Sequence, residues 1–236
     1  MPRHARLRIA DLPLHVVQRG NNRSRCFHQE RDYQVYLHLL AQMSRRHACE
    51  VHAYVLMTNH VHLLLTPRSG DAVSGMMKDV GQHYAQFINR HYKRTGSLWE
   101  GRFRSSLVQD EVYLTRCYRY IEMNPVRAGV VALPSMYRWS SHAANARGEP
   151  SAIVVPHEQY LRLGRTRESR LCAYAALFGK ELTESELIEI REAMCGGFAL
   201  GSPEFVRRVE AALGRPAQRR SPGRPRRVEQ GEMIGF

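Results

Sequence analysis

The sequence predicts an α+β fold, an antiparallel sheet with helices packed on one face, and three observations predict it. Short stretches of apolar alternation recur along the first 142 residues. Longer stretches with apolar residues three and four apart lie between them, and the resulting order is β-α-β-β-α-β-α.

Residues 14–19, Leu-His-Val-Val-Gln-Arg, read as the first strand, closed by the turn-forming Gly20-Asn-Asn-Arg23. A helix is expected over 29–47, where Tyr33, Tyr36, Leu37, Leu40 and Met43 form one apolar stripe. Strands over 50–57 and 60–67 are separated only by Thr58-Asn59, so they should pair as a hairpin. Val73, Met76, Met77, Val80, Tyr84, Phe87 and Ile88 mark the buried side of a second helix over 71–92. An irregular stretch from Trp99 to Phe103 leads into a strand over 105–108. A third helix follows over 110–123, with Asp110 as its cap and Asn124-Pro125 as its stop. This order suits the ferredoxin-like (RRM-like) arrangement, with the strand over 60–67 in the centre.

Beyond Trp139-Ser-Ser-His142, residues 143–150 are small and polar enough for a linker, so a first domain is placed over 1–145. A small helical module over 150–213 follows, with helices over 166–178, 183–194 and 202–213. Thr183 and Glu186 are spaced as a capping box, and Gly214 is the last stop. Residues 214–236 are rich in Arg and Pro and are expected to be a disordered tail.

Composition narrows the function classes. A formal net charge of +13 over 236 residues favours a polyanionic partner through counterion release. Neither a membrane-length apolar run nor a signal-like start is present, so a cytoplasmic, nucleoid-associated protein with no membrane partner is expected. Five widely spaced cysteines without a Cys-x-x-Cys arrangement read as reduced thiols.

His60 and His62 are the candidate metal ligands, because residues two apart on a strand project to the same side. With 12 His in the chain, chance supplies roughly 0.6 His-x-His triplets, so context has to decide. Tyr113, Tyr118 and Tyr120 all lie on the third helix. Tyr120 has a potential metal ligand, Asn124, four residues on along its own face, whereas Tyr118 points about 160° away. Tyr120 is therefore the candidate nucleophile. Arg19, Arg23 and Arg25 border the first loop; Arg102 and Arg104 flank Phe103 after Trp99; Arg127 follows the third helix. Charge interleaved with aromatic rings in this way suits phosphates and unpaired bases. Arg224, Arg226 and Arg227, within Pro222-Gly-Arg-Pro-Arg-Arg227, are similar to an AT-hook, which lies in a narrow minor groove.

Three blocks in order, Tyr54-Val-Leu-Met-Thr-Asn-His-Val-His62, Leu98-Trp-Glu-Gly-Arg-Phe-Arg-Ser105 and Arg119-Tyr-Ile-Glu-Met-Asn-Pro-Val-Arg127, carry a family resemblance. Over residues 8–142 the chain resembles the His-hydrophobic-His single-tyrosine transposases of the IS200/IS605 type, and more closely their REP-associated tyrosine transposase relatives. The resemblance implies that His60 and His62 hold Mg²⁺ or Mn²⁺ and that Tyr120 attacks a phosphate of single-stranded or hairpin DNA, leaving a 5′-phosphotyrosine link. Broader-family members use Gln where Asn124 stands. No small-molecule cofactor is expected. Monomer and homodimer both stay open, because the transposing branch of the family forms dimers that share active sites and the REP-associated branch resembles monomers. Two other classes compete: a noncatalytic nucleic-acid binding protein on the same sheet, and a metal-dependent nuclease that uses water.

Overall fold

A computed structural model of the protein describes residues 6–219. Strands β1 (Leu14–Arg19), β2 (Cys49–Met57), β3 (His60–Pro67) and β4 (Arg104–Val108) alternate with helices α1 (Glu30–Arg46), α2 (Ala72–His91) and α3 (Val112–Glu122) in the expected order. The strand order β2-β3-β1-β4 places β3 between two antiparallel neighbours, as in the ferredoxin-like arrangement. Arg19 lies opposite His60, and Val17 opposite His62.

Local chemistry sets the helix ends. Gln29 and Asp32 form a reciprocal capping box at the start of α1. Asp110 does not cap α3: the helix begins at Val112 after Glu111, whose φ is 67°, and the Asp110 carboxylate lies 3.7 Å from His157 instead. Pro125 ends α3 as expected, but it also starts a further short helix, α4 (Asn124–Arg127), because proline suits the first turn of a helix.

The helices do not share one face of the sheet. Val61, Leu63 and Leu65 pack with α1 and α2, while Ala53, Val55, Met57 and Leu64 pack with Leu114, Cys117 and Ile121 of α3. Both sets of alternate residues on β2 are apolar, and Leu64 of β3 adds to the second set, so both faces have to be covered.

Residues 143–150 are not simply a linker, because α5 (His142–Arg147) occupies most of them. Helices α6 (Glu158–Leu161), α7 (Arg167–Ala176) and α8 (Glu184–Gly196) follow, then a two-residue strand, β5 (Ala199–Leu200), and α9 (Pro203–Leu213). The Thr183–Glu186 capping box is formed, and Gly214 closes α9 in the left-handed conformation. This region is continuous with the sheet: β5 pairs in parallel with β4, and Tyr174 and Ile190 pack in the same cluster as α3. Residues 215–219 are not tail-like. Ala217 is fully buried, its carbonyl accepts from the Ala199 amide, and its amide donates to Glu210 Oε1.

The exposed edge of β2 is also covered. Leu56 N donates to Trp139 O, Ser141 N to Tyr54 O, and Val155 N to Val51 O. Among the described residues all five cysteines are free thiols, and no helix is long and apolar enough to cross a membrane.

Candidate active site

The face of the sheet turned toward α3 carries His15 on β1 and His60 and His62 on β3. His62 is buried and His60 half-buried. Their ring centroids lie 5.0 Å apart. Burial pushes the His60 imidazole down to about 4, assisted by the charge of Arg19 and opposed by a side-chain hydrogen bond with Asn124. His62 is lowered well below the usual imidazole value, first by burial and then by the neighbouring histidines and arginines. Both rings are thus neutral at physiological pH, the state in which imidazole has a lone pair to offer.

The tautomer of His60 is fixed by its neighbours. Asn59 Nδ2 donates to Arg23 O at 3.0 Å, which turns Asn59 Oδ1 toward His60 Nδ1 at 2.6 Å. An amide oxygen only accepts, so Nδ1 carries the proton and Nε2 the lone pair. His62 Nδ1 is 2.8 Å from His15 Nε2. His15 is itself buried and lowered to about 3, mainly by desolvation.

Helix α3 brings one of its three tyrosines to this cluster. The Tyr120 ring meets His62 at 5.8 Å and His15 at 5.6 Å, both edge to face. Tyr118 is buried against Tyr174, and Tyr113 lies under Arg116. Arg127 lies over the Tyr120 ring at 4.3 Å and donates to the Tyr120 carbonyl.

The arginines expected at the nucleic acid divide. Arg23, Arg25, Arg102 and Arg104 are exposed and Arg19 is half-buried beside His60. Trp99 is not a surface stacking platform: it is 7% exposed in the main core, and its Nε1 donates to Gly81 O at 3.0 Å. Arg224, Arg226 and Arg227 lie outside the described residues.

Two functional neighbours escaped the sequence reading. His15 alternates in register with Val17 and Arg19, so its facing was legible, but its contact with His62 depends on strand pairing. Glu122 is the second. Fully buried, its carboxylate accepts from Ser141 Oγ at 2.5 Å, Asn145 Nδ2 at 2.8 Å, Tyr174 OH at 2.9 Å and His142 Nδ1 at 3.1 Å. An acid one turn after Tyr118, on the buried side of α3, was the available signal. Its partners come from α5, α7 and the segment before α5, so they anchor the helix that carries Tyr120.

Residues 8–124 match the family described as Transposase IS200 like. Over that span the chain belongs to the IS200-like transposase family. A REP-associated tyrosine transposase from Escherichia coli (strain K12) is 27% identical over 122 residues, covering 49% of this chain and 68% of that protein. Among solved structures, a REP-associated tyrosine transposase bound to a REP hairpin is similar in fold, with a TM-score of 0.55 and 21% identity, over 66% of this chain and 93% of that one.

Whether a divalent ion fits this family member is a question of donor chemistry. Among the described residues no group of three or more His, Cys, Asp or Glu could hold a metal ion. Two neutral imidazoles and the Asn124 amide are the available donors. That set leaves most of a coordination sphere open, which fits an ion shared with substrate phosphate oxygens.

Proposed function

We propose that this IS200-like transposase is a metal-dependent transesterase of single-stranded DNA that recognises REP-like hairpins and cleaves and rejoins beside them through Tyr120. The observation that carries this reading is the placement of the Tyr120 ring against both His62 and His15, on the face of the sheet that also carries His60. The hairpin preference rests on the two REP-associated relatives and on the basic surface around Arg19, Arg23, Arg25, Arg102 and Arg104.

In the proposed step, Tyr120 Oη attacks a backbone phosphorus in line with the bond to the 3′ oxygen. A new phosphorus–oxygen bond forms, the 3′ oxygen leaves and takes a proton, and the phenol proton passes to solvent. The product is a 5′-phosphotyrosine ester beside a free 3′-hydroxyl, and the reverse attack by a 3′-hydroxyl rejoins the strand without ATP. His60, His62 and Asn124 would hold Mg²⁺ or Mn²⁺, which when bound offsets phosphate charge and stabilises the leaving oxygen. Asn59 and His15 orient the two imidazoles, a supporting role that ligand histidines commonly need. Arg127, over the Tyr120 ring, adds positive charge where attack concentrates negative charge.

The test is incubation of labelled single-stranded hairpin DNA with Mg²⁺ or Mn²⁺, followed by denaturing electrophoresis. Wild type should form a covalent protein–DNA adduct, and Tyr120→Phe should form none. An adduct with the variant would remove Tyr120 from its role; cleavage without any adduct would favour the water-using nuclease. Binding without cleavage would favour the noncatalytic module.

A further inference from the structure

On the opposite face of the sheet from Tyr120, α2, β1 and the loop before β4 line an open cavity of about 540 Å³. Arg6, Lys78 and Arg102 line it, and none of its lining residues is an acid. Gln18 forms part of its wall. The side chain is 6% exposed, and among the described residues its Oε1 has no hydrogen-bond partner. A buried amide oxygen left without a donor is unfavourable, because it has given up water without gaining a partner. Such a group in a cavity wall marks a place where a ligand supplies the missing bond.

The surroundings keep that amide available. Gly81 sits inside α2, where glycine is unfavourable, and a Cβ there would lie 3.2 Å from Gln18 Nε2 and 3.5 Å from Trp99 Nε1. Trp99, fixed by its bond to Gly81 O, and Phe103, with Arg6 stacked 3.6 Å over its ring, are core residues that form the apolar floor beneath the cavity. An amide oxygen with no donor, beside Lys78 and Arg102 in a lining that holds no acid, matches the chemistry of a nucleotide. The amide offers a donor and an acceptor to the edge of a base, and Lys78 and Arg102 face its phosphates.

Position connects this cavity to the proposed active site. Gln18 and Arg19 are successive on β1 and point to opposite faces, and Arg19 lies opposite His60. Gly20 bridges to Trp99 and Glu100 N donates to Arg19 O, so the loop that lines the cavity is tied to the end of β1 that lies beside His60.

We propose that this cavity receives one unpaired base of single-stranded DNA, read by the Gln18 amide, so that the strand is gripped on one face of the sheet while it is cut on the other. The inference rests on the proposed function only for the identity of the polymer.

Fluorescence anisotropy without divalent metal tests it, using the full chain and labelled dA12, dC12, dT12 and an abasic 12-mer. Wild type should prefer at least one base-bearing strand over the abasic strand, and Gln18→Met should reduce that preference about 10-fold while leaving abasic binding unchanged. Methionine has the same reach and needs no hydrogen bond, so Gln18→Met should melt no lower than wild type. An unchanged preference, or equal loss for base-bearing and abasic strands, overturns the proposal. Competition by dAMP as effective as by dA12 would make this a free-nucleotide site and also overturn it. Tyr120→Phe should bind like wild type here, so failure of the cleavage reading and failure of this one are separately visible.

Discussion

At the residue scale, protonation is controlled by burial. His52 shows this away from the candidate active site. It lies where the β2–β3 register shifts, donates from Nδ1 to Val155 O at 2.7 Å and accepts at Nε2 from Thr66 Oγ1 at 2.8 Å. Burial lowers its pKa from 6.5 to about 4. The folded state therefore binds fewer protons than the unfolded chain. The stability that depends on neutral His52 is complete above about 6.5 and is lost as pH falls toward 4. At pH 5 the expected loss is about 2 kcal/mol from this residue alone. Urea unfolding of wild type and His52→Gln at pH 7.5 and 5.0 measures it: the variant should show a smaller drop, and equal drops would refute the assignment. The same logic holds His60 neutral, and Asn59 decides which nitrogen is left for a ligand.

At the element scale, the candidate site is a junction between a strand and a helix, and two devices hold the junction. One is the β1–β3 pairing, which brings His15 to His62 and Arg19 to His60. The other is the Glu122 network, which fastens α3 to α5 and α7. Removing one member of a buried charged cluster strands the others. Glu122→Ala should therefore lower stability by roughly 3–5 kcal/mol, read by chemical denaturation. Its effect on Tyr120 is read as adduct yield with saturating hairpin, well below the melting temperature. Reduced stability with an undiminished adduct rate would show that Tyr120 is placed by other contacts. Element boundaries were legible because apolar period and turn residues mark them locally. The start of α3 was not, because Asp110 is drawn to His157, a residue 47 positions away.

At the scale of the whole molecule, charge governs encounter with DNA. The chain carries +13, and residues 220–236 hold Arg220, Arg224, Arg226 and Arg227 against Glu229 and Glu232. Truncation after Arg219 retains Ala217, which is part of the fold. For single-stranded DNA the truncation should reduce the slope of log affinity against log salt by about 1–3 and leave adduct formation in the bound complex intact. An unchanged slope would mean that the tail makes no phosphate contacts. The ferredoxin-like strand order, the central place of the histidine strand and the approach of Tyr120 to it were legible before folding was considered, because strand alternation and helical spacing are local properties of the chain. Long-range packing alone places helices on both faces, adds β5 to the sheet, sets His15 against His62, anchors α3 through Glu122 and puts Gln18 in the wall of a basic cavity. Each of these depends on residues distant in sequence meeting through strand register and packing, which no local period encodes.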